Sequence, residues 1–111
     1  MHEKYGVHVT RVIDGDTFVG DVPFHALGHI FTLHEERFRL QDIDAPELRG
    51  ATKEAGLESK KFLEDLILGK QIRVTVSKRD SFGRWIVIAF LGDLEINSHM
   101  ILKGYADRYE Y

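Results

Sequence analysis

Residues 7–22 read VHVTRVIDGDTFVGDV, a stretch that predicts two antiparallel strands joined by a tight turn. Residues 7–13 alternate polar and β-branched side chains, which is typical of a half-buried strand. The turn is Asp14-Gly15-Asp16, where glycine relaxes the backbone and the aspartate side chains accept hydrogen bonds from nearby amides. Two carboxylates are therefore expected at the end of a strand, beside the start of the next.

The spacing of apolar residues predicts the other elements of the chain. They are strands over residues 17–22, 30–40, 72–76 and 84–91, and helices over residues 51–68 and 96–103. Turn signals around Pro23 and Gly28 separate the second strand from the third. This order predicts a mainly β fold with α-helices: a five-stranded Greek-key OB-fold barrel with one main helix and a short C-terminal helix. We expect residues 1–111 to form a single domain.

The main predicted helix has one apolar face, which we expect to pack on the barrel. Its members are Ala55, Ser59, Phe62, Leu63, Leu66 and Ile67. Gly69 is placed to end this helix in a left-handed conformation.

Composition excludes several classes of protein. The chain has no cysteine, which excludes a disulfide scaffold, a thiolate zinc site and a cysteine nucleophile. No apolar run approaches the roughly 18 residues of a membrane-spanning helix, and no signal-peptide block follows the polar start, so no membrane partner is expected. The 15 basic and 18 acidic residues give a net charge of −3. A polyanionic partner must therefore be held by a local cluster or a metal.

Two acidic stretches carry the candidate chemistry. Asp14 and Asp16 lie at the first turn, and Asp44 and Glu47 follow the third strand in Asp44-Ala45-Pro46-Glu47. Carboxylates at the ends of neighbouring strands can converge, and oxygen ligands favour a hard cation, calcium above all. Taken singly, Asp-Gly-Asp is also typical of a hydrogen-bonded turn, and the second stretch of a helix start. Residues alone leave these alternatives open.

Six spaced motifs, in order along the chain, resemble the staphylococcal nuclease (thermonuclease) family, metal-dependent phosphodiesterases on an OB-fold. The motifs are Ile13-Asp14-Gly15-Asp16-Thr17, Phe38-Arg39-Leu40, Asp44-Ala45-Pro46-Glu47, Asp80-Ser81-Phe82-Gly83-Arg84, Ile96-Asn97 and Lys103-Gly104-Tyr105-Ala106. The resemblance spans residues 9–109.

The resemblance implies a metal site and a role for each of its ligands. Asp16 and Asp44 would be the side-chain ligands of Ca²⁺, and the backbone carbonyl of Ala45 would supply a third oxygen. Asp14 matches a position that helps to orient the metal site.

The resemblance also implies the catalytic groups. Arg39 and Arg84 match the pair that binds the scissile phosphate, and Glu47 matches the presumed general base. Phe82 stands where the family often has a tyrosine, so it is a candidate to stack on a base of the substrate, with packing on the barrel rim as the alternative.

The chain departs from the family in the segment over residues 18–37, which is longer than the usual hairpin and carries His25, His29 and His34. Alternation along a strand would put His25 and His29 on one side and His34 on the other, which argues against a single metal site. We expect an extended, exposed hairpin. A monomer is the expectation, with an oligomer formed through this hairpin as the alternative. In the C-terminal tail, Tyr105 is expected to pack into the core.

The combined interpretation is a calcium-dependent nuclease that hydrolyses phosphodiester bonds of DNA and RNA, preferably in single strands. One alternative is a non-catalytic OB-fold module that binds nucleic acid or protein, and another is a structural OB domain without a nucleic-acid partner. Resemblance to exported relatives implies a secreted or cell-envelope location, although no residue in the chain indicates it.

Overall fold

The computed structural model describes residues 3–109. Its strands are β1 (Lys4–Asp14), β2 (Thr17–Ala26), β3 (His29–Leu40), β4 (Ile43–Asp44), β5 (Gln71–Arg79), β6 (Trp85–Leu91), β7 (Leu94–Glu95) and β8 (Asp107–Arg108). Its α-helices are α1 (Lys53–Ile67), preceded by a 3₁₀ turn (Gly50–Thr52), and α2 (Ile96–Leu102). Within the described residues, no helix is both long and apolar enough to cross a bilayer.

The five long strands form a closed barrel. The order in the sheet is β3-β2-β1-β5-β6-β7, and a parallel pairing of β3 with β6 closes it. In that pairing Phe38 lies opposite Trp85, and Arg39 lies opposite Ile86. The predicted five-stranded OB-fold is confirmed. Closure brings the end of β3 next to the start of β6, although these segments are distant in sequence.

Apolar side chains of the five long strands fill the barrel interior. Phe18 and Phe38, from β2 and β3, are buried and stack with their ring centroids 5.1 Å apart. Helix α1 packs on β1 and buries Leu63 and Ile67 completely. Helix α1 ends at Ile67, one residue earlier than predicted, and Leu68 is extended. Gly69 has the predicted left-handed conformation, with φ +75°, but it donates its N–H to the Val9 carbonyl of β1 at 2.9 Å and not to a carbonyl of the helix.

One member of the predicted helix face is misplaced. Ala55 is exposed, whereas Gly56 is buried against the chain that enters the helix. A Cβ on Gly56 would lie 2.5 Å from the carbonyl oxygen of Glu47, so this contact requires a glycine. Because alanine is more hydrophobic than glycine, the hydropathy pattern assigned Ala55 to the buried face of the helix instead of the adjacent Gly56.

The second strand is longer than predicted. Pro23 does not end β2: it pairs with Thr32, and β2 continues to Ala26. The turn is made by Leu27 and Gly28, both with positive φ. The β2–β3 hairpin therefore projects well beyond the barrel, as expected of an extended and exposed segment.

The position of this turn corrects the expected arrangement of the histidines. His29 pairs with Ala26, while His25 pairs with Ile30. Because partners in an antiparallel pair share a face and neighbours alternate, His25 and His29 lie on opposite faces of the hairpin. The prediction that they share a side was wrong, since it treated residues 25–29 as one strand.

The C-terminal part folds back onto the barrel. Helix α2 is followed by Gly104 with φ +81°, and Tyr105 stacks on Phe62 of α1 at 4.2 Å between centroids. Tyr105 is half-buried against the core, as predicted. Strand β8 then pairs with β4 and brings Tyr109 to the end of the barrel where Asp44 lies. Tyr111, the last aromatic residue of the tail, lies outside the described residues.

Candidate active site

The β1–β2 turn holds Asp16 in a defined orientation. The Asp14 carboxylate accepts the amide N–H of Asp16 at 3.0 Å. The buried Asp16 carboxylate accepts the Thr17 hydroxyl at 2.9 Å and the amide N–H of Ala45 at 2.9 Å. Asp16 therefore ties the β1–β2 turn to the segment that follows β4.

Arg39 joins the two predicted side-chain ligands. Its guanidinium lies 3.2 Å from Oδ2 of Asp16 and 3.5 Å from Oδ1 of Asp44, and it also donates to the Ile43 carbonyl at 3.3 Å. The side chains of Arg39 and Asp16 are almost buried, and that of Asp44 is exposed. The β1–β2 turn, β3 and β4 thus bring Asp16, Arg39 and Asp44 together at the end of the barrel.

The oxygen ligands of the predicted site are of the chemical type that binds a hard cation. Asp16 and Asp44 offer carboxylate oxygens and Ala45 offers a carbonyl, the ligand types that Ca²⁺ prefers. Within residues 3–109 no group of three or more His, Cys, Asp or Glu side chains is placed to hold a metal. Because Ca²⁺ takes six to eight oxygen ligands, backbone oxygens and water would have to complete the set.

The acidic turn concentrates negative charge. Burial raises the pKa of Asp14 to about 6, and the adjacent Asp16 carboxylate contributes to the rise. Two carboxylates this close repel each other when both are ionised, and a bound cation relieves that repulsion. The surroundings of Asp14 and Asp16 therefore favour a positive ligand.

Glu47 lies on the loop between β4 and α1. Its carboxylate is exposed and makes no hydrogen bond or ion pair to any residue in the described part of the chain. Its backbone is fixed, because its carbonyl accepts the Thr52 hydroxyl at 2.9 Å and packs closely on Gly56. The side chain is thus free to contact solvent from a fixed position.

Arg84 is held by the β5–β6 turn. Asp80 accepts the Arg84 side chain at Nε (2.7 Å), its amide N–H (2.8 Å) and the amide N–H of Phe82 (3.0 Å). Arg84 lies two residues before Ile86, the residue that pairs with Arg39. Two residues along a strand span about 6.5 Å. The structure therefore brings Arg84, in the turn directly before β6, to a position near Arg39 on the adjacent strand β3.

Phe82 lies at the surface of this turn. Its side chain is 79% exposed, and the Arg84 guanidinium lies 5.2 Å from its ring centroid. The alternative that Phe82 packs on the barrel rim does not match this exposure. Its remaining ring surface is open to solvent beside a predicted phosphate-binding arginine.

Three small residues that position the site were not identified in this role from the sequence: Gly15, Gly56 and Ser59. A Cβ on Gly15 would lie 1.8 Å from Oγ of Ser59, which is buried and donates to the Tyr105 carbonyl at 2.7 Å. Gly56 makes a similarly close contact with the backbone carbonyl of Glu47. The available signal was the pair of small residues three positions apart on α1, which marks a close approach of the backbone.

Tyr109 is a further residue of the site for which the sequence analysis predicted no role. Its amide donates to the Asp42 carbonyl at 2.8 Å, and its ring centroid lies 5.8 Å from the Arg39 guanidinium. The pairing of β4 with β8 produces this contact, and two-residue strands leave no periodic signal in a sequence.

Comparison with known proteins gives one family. A family model described as staphylococcal nuclease homologue matches residues 37–111. A protein of Escherichia coli O157:H7 named an uncharacterized endonuclease is 32% identical over 103 residues, which cover 92% of this chain and 60% of that protein. A protein of Haemophilus influenzae with the same name is 30% identical over 110 residues, 97% of this chain and 54% of its own length.

A plant relative has a more specific name. A probable staphylococcal-like nuclease of rice (Oryza sativa subsp. japonica) is 37% identical over 70 residues, 63% of this chain and 18% of that protein. The chain thus spans about 60% of the E. coli relative and less than a fifth of the rice relative.

Proposed function

This chain belongs to the staphylococcal nuclease family, and on that premise we propose that it hydrolyses phosphodiester bonds of DNA and RNA with the help of Ca²⁺. The observation that carries the proposal is the convergence of Asp16 and Asp44 on the Arg39 guanidinium. Carboxylates for a hard cation and a guanidinium for a phosphate meet there, at the end of the barrel that also bears Arg84.

A calcium ion held by Asp16, Asp44 and the Ala45 carbonyl would add positive charge to the scissile phosphate and weaken its repulsion of an attacking oxygen. Asp14 supports this site by holding the amide of Asp16 in the turn. The donor types and the concentrated negative charge support this assignment.

Arg39 and Arg84 are proposed to bind the phosphate. A guanidinium has five N–H donors, and in this chain Arg84 contacts Asp80 through Nε, so its terminal amino groups are available to phosphate oxygens. Such donors stabilise the charge that develops in the transition state, and loss of one typically costs about 10²–10³ in rate.

Glu47 is proposed to orient the attacking water and to accept its proton. Its exposed carboxylate on a fixed backbone supports this role. A single-stranded substrate is favoured, because an unstacked backbone reaches the end of a barrel more easily than a duplex and exposes bases to a ring such as Phe82.

The test is hydrolysis of denatured DNA and of RNA with Ca²⁺ or with a chelator. We expect cleavage only with Ca²⁺, a rate lower by about 10²–10³ in Glu47→Gln, and an unchanged rate in Glu58→Gln, a matched change on the exposed side of α1. Failure of the folded, calcium-binding protein to cleave either substrate would instead indicate a non-catalytic OB-fold module.

A further inference from the structure

The hairpin arm, residues 22–34, extends from the barrel with an uncharged and largely apolar surface. Its exposed large apolar residues are Phe24, Leu27, Ile30, Phe31 and Leu33. The arm contains no Asp, Glu, Lys or Arg, although 30% of the chain is charged. An exposed apolar surface of this kind is typical of an interaction site.

The turn of the arm determines where its backbone groups point. Leu27 and Gly28 have φ of 52° and 77°, as a two-residue type I′ turn requires. The pair that flanks such a turn is hydrogen-bonded, and bonded and non-bonded pairs then alternate along the hairpin. By this alternation, Pro23 and Thr32 form a non-hydrogen-bonded pair, and their backbone groups face away from each other.

The two edges of the arm consequently differ. On the β2 edge the outward backbone groups are those of His25 and Pro23, and Pro23 has no N–H, which disfavours addition of a strand there. On the β3 edge the N–H and C=O groups of Ile30 and Thr32 point outward. β3 pairs with β6 only at residues 38–40, so within residues 3–109 no strand covers the edge at residues 29–34.

We propose that this edge pairs with the same edge of a second copy of the chain, forming a two-fold symmetric antiparallel dimer. Thr32 faces its own symmetry mate, and Ile30 faces His34 of the other copy, so the outward backbone groups satisfy one another. Glu35, with φ 56° and its amide bonded to Asp21 at 2.9 Å, ends the regular edge next to His34. This inference is independent of the proposed nuclease activity.

Charge favours a second copy over a nucleic acid. Between Arg11 and Arg37 the chain has no Lys or Arg, so the arm offers no permanent cation to a phosphate backbone. Two copies, each with a net charge of −3, avoid repulsion by meeting at an uncharged surface. The uncharged edge lacks the charges and prolines by which exposed strands usually avoid such pairing.

Sedimentation equilibrium over a range of concentrations tests the dimer. We expect a mass approaching twice that of one chain, and a dissociation constant raised by more than about tenfold in Thr32→Lys, where like charges meet at the two-fold axis. Thr32→Val, the matched control, keeps the backbone donor and the dimer. Trp85 fluorescence verifies folding of each variant. A monomer at every concentration, or a dimer unaffected by Thr32→Lys, overturns the proposal.

Cysteine scanning tests the register independently, because the chain has no cysteine of its own. Cα atoms in a hydrogen-bonded antiparallel pair are about 5.5 Å apart, within the range that a disulfide spans. Under mild oxidation Thr32→Cys should form a covalent dimer rapidly, and Ile30→Cys slowly. Equal rates would overturn this pairing. A monomer that loses affinity for a single-stranded oligonucleotide in Phe31→Ala would assign the arm to nucleic acid and reject the dimer.

Discussion

Gly15 lies directly against Ser59: a Cβ at position 15 would be 1.8 Å from the serine Oγ and 2.8 Å from its Cβ. Ser59 is itself held by its hydrogen bond to the Tyr105 carbonyl. Helix α1 therefore fixes the turn that carries Asp14 and Asp16, and the proposed metal site depends on packing as well as on its ligands.

Gly15→Ala tests this dependence. The added methyl group must displace the turn or the helix, so we expect the free energy of unfolding to fall by about 1–3 kcal/mol and calcium affinity to fall with it. Urea unfolding and calorimetric calcium titration measure the two effects. Gly6→Ala is the matched control, because nothing lies within 4 Å of a Cβ at Gly6 in β1. Equal behaviour of the two variants would contradict the role of the Gly15 contact.

Arg39→Gln should destabilise the protein in the absence of calcium. The change leaves the nearly buried Asp16 carboxylate without its cationic partner, a loss typically worth about 3–5 kcal/mol for a buried pair. Added Ca²⁺ should stabilise this variant more than the parent chain, because a cation replaces the missing charge. Thermal unfolding with Ca²⁺ and with a chelator measures this difference.

Arg39→Lys is the control for that experiment. A lysine retains the charge but cannot bind two carboxylates as a planar guanidinium does. We therefore expect an intermediate stability. Full stability of Arg39→Gln without calcium would show that the contact of Arg39 with Asp16 and Asp44 contributes nothing.

Asp80 should support stability in a pH-dependent manner. Burial alone would raise its pKa, but the backbone and side-chain hydrogen bonds and the charge of Arg84, with the amide of Phe82, outweigh burial and lower it. The folded protein then binds fewer protons at Asp80 than the unfolded chain does. The stabilisation is fully present above the unfolded pKa of about 4, and it is lost as the pH falls through the lower, folded pKa.

Asp80→Asn removes this charge while its amide oxygen can still accept the backbone N–H groups of Phe82 and Arg84. We expect a loss of about 1 kcal/mol at pH 7, which diminishes below pH 4. Urea unfolding at pH 7 and below pH 4 measures this loss in the free energy of unfolding. The control is Asp93→Asn, because Asp93 is an exposed aspartate in the β6–β7 turn. A loss that is the same at both pH values would assign Asp80 a role in the turn alone.

The strands of the barrel were predictable where polar and apolar residues alternate with burial, as at Val7 and Val9 in β1 and at Ile72 and Val74 in β5. The prediction that β2 ends before Pro23 was wrong. Pro23 lies opposite Thr32 in a pair without hydrogen bonds between its members, so its missing N–H does not interrupt the strand. The pairing of β4 with β8, and with it the contact of Tyr109 with Arg39, arises from closure of the chain and has no local pattern.

The candidate site was predictable only in part. Motifs indicated Asp16, Asp44 and Arg39, and the structure brings them together. The restraint of Arg84 by Asp80 could be anticipated from their four-residue spacing across a turn. The packing of Gly15 on Ser59 could not, because it joins a strand turn to a helix over a long separation in sequence and involves no polar pattern.

Phe82→Leu tests whether the exposed ring contributes to substrate binding. Stacking on a base is worth about 1–3 kcal/mol and requires the aromatic face that leucine lacks, so affinity for a single-stranded oligonucleotide should fall by that amount. Fluorescence anisotropy in the Glu47→Gln background, with Ca²⁺ present, measures binding without cleavage. Leu102→Ala, at a side chain equally exposed on α2, should leave affinity unchanged. Because Phe82 is 79% exposed, its replacement should not alter the free energy of unfolding. An unchanged affinity in Phe82→Leu would exclude Phe82 from the binding surface. Arg39 and Arg84 would then remain as the proposed contacts to the oligonucleotide.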